Sequence, residues 1–153
     1  MKIPIDWADE CSQAECKYLL TMSNSCYLVP LYKLYQKKDY IGSLVMLIVI
    51  IFSTAYHYYH VVEENHPDVL YFMDVISAVG LSFYLCKNFY KNLLSFEGYI
   101  LIFTCIWCYG LSNYYWYCDY NQTGNTRLYN HYHFYWHVAT SALVNYLISC
   151  EVD

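Results

Sequence analysis

Apolar residues in this chain fall in long blocks rather than in stripes. From Ile41 to Tyr59 the sequence IGSLVMLIVIIFSTAYHYY has no consistently polar face, and a block of that length suffices to carry a helix across the hydrocarbon core of a bilayer. Similar blocks cover Tyr18–Tyr35, Val69–Cys86, Gly98–Tyr117 and Tyr132–Ser149. Five such blocks in 153 residues leave too little polar sequence to cover them as soluble core. The pattern therefore predicts an all-α fold, a polytopic transmembrane helical bundle of about five spans. The first and third blocks are the weakest, since one holds several small polar residues and the other holds Asp74, so four spans is the alternative. The expected organisation is an N-terminal segment 1–16, a membrane domain 17–150 and a short tail 151–153, with no internal repeat, low-complexity tract or linker.

Composition agrees with this class. The chain is 58% hydrophobic and 21% aromatic, and its 21 tyrosines concentrate where block ends are expected, as at Tyr56–Tyr59 and Asn113–Tyr117. Tyr and Trp collect at membrane–water boundaries, where an apolar ring and a polar tip are both satisfied. The net charge of −5 argues against nucleic acid as a partner. The segment before the first block is acidic, unlike a secretory signal, so the first span would serve as its own insertion signal. Of eight basic residues, Lys33, Lys37, Lys38, Lys87 and Lys91 fall in two loops. Excess lysine marks the cytosolic side. The N-terminus, the Glu63–Asp68 loop and the Cys118–Arg127 loop would then be luminal or extracellular and the C-terminus cytosolic, in an endomembrane or the plasma membrane. Asn121-Gln-Thr123 is a glycosylation sequon in a loop assigned to the outside. Of the eight cysteines, Cys11, Cys16 and Cys118 share that side and could supply one disulfide. Cys105-Ile-Trp-Cys108 has redox-like spacing but sits mid-block, where packing is the plainer reading.

Chemistry enters with three motifs. Ser53-Thr-Ala-Tyr-His57 closes the second block, and Ser53 and His57 lie at i and i+4 on one helix face. Asp74 places an ionisable group inside the third block, about 9 Å along a helix from Asp68, a costly position that points to function. His133 and His137 form a second i, i+4 pair at the start of the last block. With spans of alternating direction, all five residues reach the same outer depth. Three histidines from two helices suit zinc with a fourth position left for water. Asp74 would take the water's proton or orient the water, and Ser53 would bond a ligand or stabilise an oxyanion. Each motif alone has a plainer reading: a boundary histidine, as expected for His60, His66 and His131, or an aspartate bonded to a tyrosine.

Together, S-x-x-x-H on the second helix, Asp on the third and H-x-x-x-H on the last resemble the pattern of the CREST superfamily of membrane hydrolases. That superfamily includes alkaline ceramidases, adiponectin-receptor-like proteins and GPI-lipid hydrolases. SNSCYLVPL (Ser23–Leu31), FSTAYHYYH (Phe52–His60) and VLYFMD (Val69–Asp74) are similar to segments of its branch containing the GPI-specific phospholipase A2 and myomaker. The resemblance covers most of residues 20–86 and 128–149. It implies a seven-helix fold reduced here to five, with zinc on His57, His133 and His137 and with Ser53 and Asp74 supporting the catalytic water. Losing a helix pair between Cys86 and Arg127 would open the substrate cavity or call for a partner protomer, hence a homo-oligomer. Asp6-Trp-Ala-Asp9 matches part of the D-W-x-E-x-N calcium segment of alkaline ceramidases, with Cys11 where the Asn stands. That match makes Asp6, Trp7 and Asp9 candidate Ca²⁺ residues. The expected function is a zinc-dependent membrane hydrolase acting on an amide or ester bond of a membrane lipid, ceramide-like or GPI/phospholipid. The alternative is a non-enzymatic, myomaker-like membrane protein with a structural zinc site.

Overall fold

A computed structural model of the chain describes residues 13–63, 67–122 and 127–150. Among them no strand occurs, and the fold is all-helical. The elements are α1 (Gln13–Ser23), a 3-10 turn (Asn24–Tyr27), α2 (Leu28–Gln36), α3 (Tyr40–His57), a π-helical turn (Tyr58–Val62), α4 (Asp68–Leu93), α5 (Phe96–Gln122) and α6 (Arg127–Ser149). Cross-helix pairs give their directions. Ser23 meets His137, and Lys33 meets Ser149, so α1 and α2 run parallel to α6. Asn92 donates to the Leu147 carbonyl, which puts α4 in the same sense. Ser112 meets His133, and Ser95 meets Tyr146, so α5 runs the opposite way. Tyr84 bonds Asp39 at the start of α3 while Tyr56 and Tyr71 pack at its other end, so α3 is also reversed.

Two helical segments, Tyr40–His60 and Asp68–Leu93, are long and apolar enough to cross a membrane. Helices α5 and α6 have the length, but runs such as Asn113–Tyr117 and Asn130–Tyr135 lower their hydropathy. The first block departs from the expected single span. It is α1, a 3-10 turn and α2. Pro30 accounts for the break, because proline has no N–H to give to the carbonyl four residues back, that of Cys26. Ser141 Oγ donates to that carbonyl instead, at 2.7 Å. The lost local bond becomes a tie to α6, and it sets the register that brings Ser23 level with His137.

The helices carry their polar groups inward. On α3 the buried residues are Gly42, Met46, Val49, Ser53 and His57, while Ile41, Leu44, Ile48 and Ile51 face out. On α4, Ser77, Leu81, Leu85 and Phe89 face in, while Val69, Phe72, Ile76, Val79 and Phe83 face out. One large apolar cluster joins α2, α3, α4 and α6 through Leu34, Met46, Leu85, Phe89, Leu147 and Ile148. Towards the other end of the helices the apolar packing shrinks to Leu20 and Tyr129 with Trp116 against them, and the interior there is largely polar.

Three expectations change here. The expected loop from Cys118 starts later, because α5 continues through Gln122. Asn121 lies in that last turn, while Thr123 of its sequon is outside the described residues. Cys118 is a free thiol, as are Cys105 and Cys108. Asp6, Trp7, Asp9, Cys11 and His66 also lie outside the described residues.

Candidate metal centre

His57, His133 and His137 meet inside the protein. Their candidate ligand nitrogens all lie within 4.8 Å of one another. The ring centroids are 4.8 Å apart for His57 and His133, 5.1 Å for His57 and His137, and 4.9 Å for His133 and His137. The two α6 histidines share a face because they are four residues apart. His57 reaches them from the last residue of α3, and no Cα of α3 comes within 8 Å of one in α6 among the described residues. The imidazoles therefore span a gap that the two backbones do not close.

All three rings are buried, His57 and His137 to 1% exposure. Buried polar atoms normally find partners, yet neither nitrogen of His57 and not Nε2 of His133 has a hydrogen-bond partner among the described residues. The Nδ1 atoms of the other two are occupied: His137 Nδ1 lies 2.6 Å from Ser23 Oγ, and His133 Nδ1 lies 3.0 Å from Ser112 Oγ. Orphaned nitrogens converging on one point, with the remaining ring nitrogens held by hydroxyls, are the arrangement in which metal-binding histidines are found. The donor set fits a metal ion. A set of three neutral imidazoles is one in which zinc keeps an open fourth position.

Ser53 and Asp74 lie beside this cluster. Ser53 of α3 and Asp74 of α4 line one wall together. Both residues line a cavity of about 120 Å³ with His137, Tyr27, Trp136 and Thr140 at its polar end. Val49, Leu81, Leu85, Leu143 and Val144 form its apolar remainder. Tyr27 bonds Thr140, whose hydroxyl in turn donates to the Trp136 carbonyl at 2.8 Å.

The other histidines separate. His131 is exposed, stacked edge-on against Tyr135. His60, expected at a boundary, is instead buried at 8% exposure, with Nδ1 2.6 Å from Tyr56 Oη and its ring against Trp116. The π-turn that follows His57 explains this. Its wider winding changes which residues face inward, and such turns recur at functional sites.

Ser23 and Ser112 are the site residues that sequence reasoning did not assign to the centre. Ser23 stands in the SNSCYLVPL segment, without a stated role. Ser112 is the one serine of α5, fully buried beside a tyrosine-rich run, and only its small size among large rings could have marked it.

No protein-family model matches the chain, and no curated protein and no solved structure matches it. The functional reading rests on the residues themselves.

Proposed function

We propose that the chain is an integral membrane, zinc-dependent hydrolase that cleaves an amide or ester bond of a membrane lipid. The observation that carries this is a buried three-histidine cluster that reaches, through His137, one half-enclosed, mostly apolar cavity also lined by Ser53 and Asp74. His57, His133 and His137 would hold the zinc. Bound there, zinc would supply a Lewis acid and lower the pKa of a water ligand toward ~7.

The chain's own residues do the rest. Among the described residues Asp74 carries the only carboxylate lining the cavity, and a carboxylate at that place accepts a proton from the attacking water. Ser53 lines the same cavity and gives that carboxylate a polar neighbour. The apolar wall of Leu81, Leu85, Leu143 and Val144 takes hydrocarbon and excludes water from beside the reacting bond. The likeness to the CREST pattern supports the same roles.

A membrane setting is favoured by the outward faces of α3 and α4, which carry isoleucine, leucine, valine and phenylalanine, while Ser53, His57 and Ser77 face in. Exposed apolar area of that extent is unfavourable in water. The five alternating helical runs, counting α1 and α2 as one, support five crossings, with the lysine-bearing ends in the cytosol.

The structural-metal reading has one observation behind it: the imidazoles bridge α3 and α6 where the backbones do not meet. The two readings separate by experiment. Detergent-purified protein should hold about one equivalent of zinc and turn over at least one lipid from a ceramide, phospholipid and GPI-lipid panel. Asp74→Asn keeps the side-chain shape and removes the charge, so zinc content should persist while turnover falls about 10²–10⁴-fold. Zinc retained with no turnover of any lipid by the wild type would establish the structural reading instead.

A further inference from the structure

Ser23 is bonded on both sides. Its Oγ lies 2.5 Å from the Leu20 carbonyl oxygen and 2.6 Å from His137 Nδ1. A hydroxyl has one proton to give. The Leu20 carbonyl can only accept, so that proton belongs to it. The contact with His137 must then run the other way, with Nδ1–H donating to the serine oxygen. A neutral imidazole protonated on Nδ1 has its free lone pair on Nε2. From these contacts we infer that Ser23 is a positioning residue that locks His137 in the Nδ1–H tautomer and so presents Nε2 to the metal before any metal binds.

The same elements make the lock rigid. Ser23 is buried at 2% exposure on the last turn of α1, immediately before the 3-10 turn imposed by Pro30. Ser141, one turn beyond His137 on α6, holds the Cys26 carbonyl at 2.7 Å. The segment carrying Ser23 is thus fixed to α6 on the far side of the turn as well. Ser112 presents a contrast. Its Oγ meets His133 Nδ1 at 3.0 Å and, among the described residues, has no carbonyl acceptor committing its proton, so that pair can adopt either sense. His57 has, among the described residues, a hydroxyl on neither nitrogen. Among the three ligands, His137 is therefore the one whose tautomer the protein sets by itself.

The inference rests on the metal-site reading for its consequence but not for the tautomer. In metal-free wild-type protein with ¹⁵N-labelled histidine, His137 should give the signature of a protonated Nδ1 and an unprotonated Nε2. Protonation on Nε2 overturns the inference and needs no variant. Ser23→Ala should yield a mixed tautomer at His137 and weaken zinc binding about 10–100-fold in chelator competition, with a smaller loss for Ser112→Ala. A lower melting temperature for Ser23→Ala with tautomer and zinc affinity unchanged makes Ser23 merely structural and also overturns it. Wild-type protein that binds no zinc yet shows the Nδ1–H signature would defeat the hydrolase reading while upholding the lock.

Discussion

At one end of the helices Leu34, Met46, Leu85, Phe89, Leu147 and Ile148 close a continuous apolar core. At the other end the interior holds Ser23, Ser53, Ser112 and the four imidazoles of His57, His60, His133 and His137. Helices α3 and α6 run through both ends, and the residues they turn inward differ between them. The apolar end is closed by shape, and its loops are stitched by bonds that need no cofactor. Lys37 Nζ donates to the Ile148 carbonyl at 2.6 Å, and Asn92 donates to Leu147 at 3.2 Å. The polar end leaves three ring nitrogens of His57 and His133 without partners among the described residues. Stability is concentrated where packing is complete. Chemistry is available where it is not, because only an unsatisfied group has a lone pair to offer a ligand.

Substitutions at the two ends should separate stability from metal binding. The largest effect is expected for His137→Ala, which removes one of three ligands and the partner of Ser23. Zinc should be lost on purification and turnover with it, and metal analysis of the purified variant checks this. Full zinc occupancy would remove His137 from the ligand set. Leu147→Ala, at the opposite end, should cost about 2–5 kcal/mol of stability by leaving a cavity. Its zinc content should stay near one equivalent. If zinc were lost in step with stability, the two ends would be one cooperative unit.

The smallest expected effects come from a glycine pair. A Cβ at Gly42 would lie 2.5 Å from Tyr84 Oη and 2.6 Å from Asp39 Oδ2, driving apart the pair that ties α3 to α4. Gly42→Ala should destabilise by about 1–3 kcal/mol. A Cβ at Gly80, within α4, meets nothing within 4 Å, so Gly80→Ala should stabilise by up to ~1 kcal/mol through helix propensity alone. Thermal melts of both variants in the same detergent test the contrast. A destabilised Gly80→Ala would mean that this open face of α4 has an occupant.

The sequence by itself determined the helical class and the residue types of the centre. It ranked the third block among the weakest because of Asp74, whereas α4 is one of the two helices apolar enough to cross a membrane. What it determined is local: block length sets what a helix can cross, and four-residue spacing puts His133 and His137 on one face whatever surrounds them. Proline at position 30 likewise dictated a freed carbonyl at Cys26, though not its new partner. Tertiary structure alone decided the rest. Nothing local reveals that Ser23 meets His137 across 114 positions, that Ser112 of α5 holds His133, or that the π-turn folds His60 into an aromatic pocket. Such pairings depend on the rotation and register of one helix against another. Those are settled by how side-chain ridges fit into facing grooves over the whole contact, and by single ties such as Ser141 to Cys26 that no periodicity records.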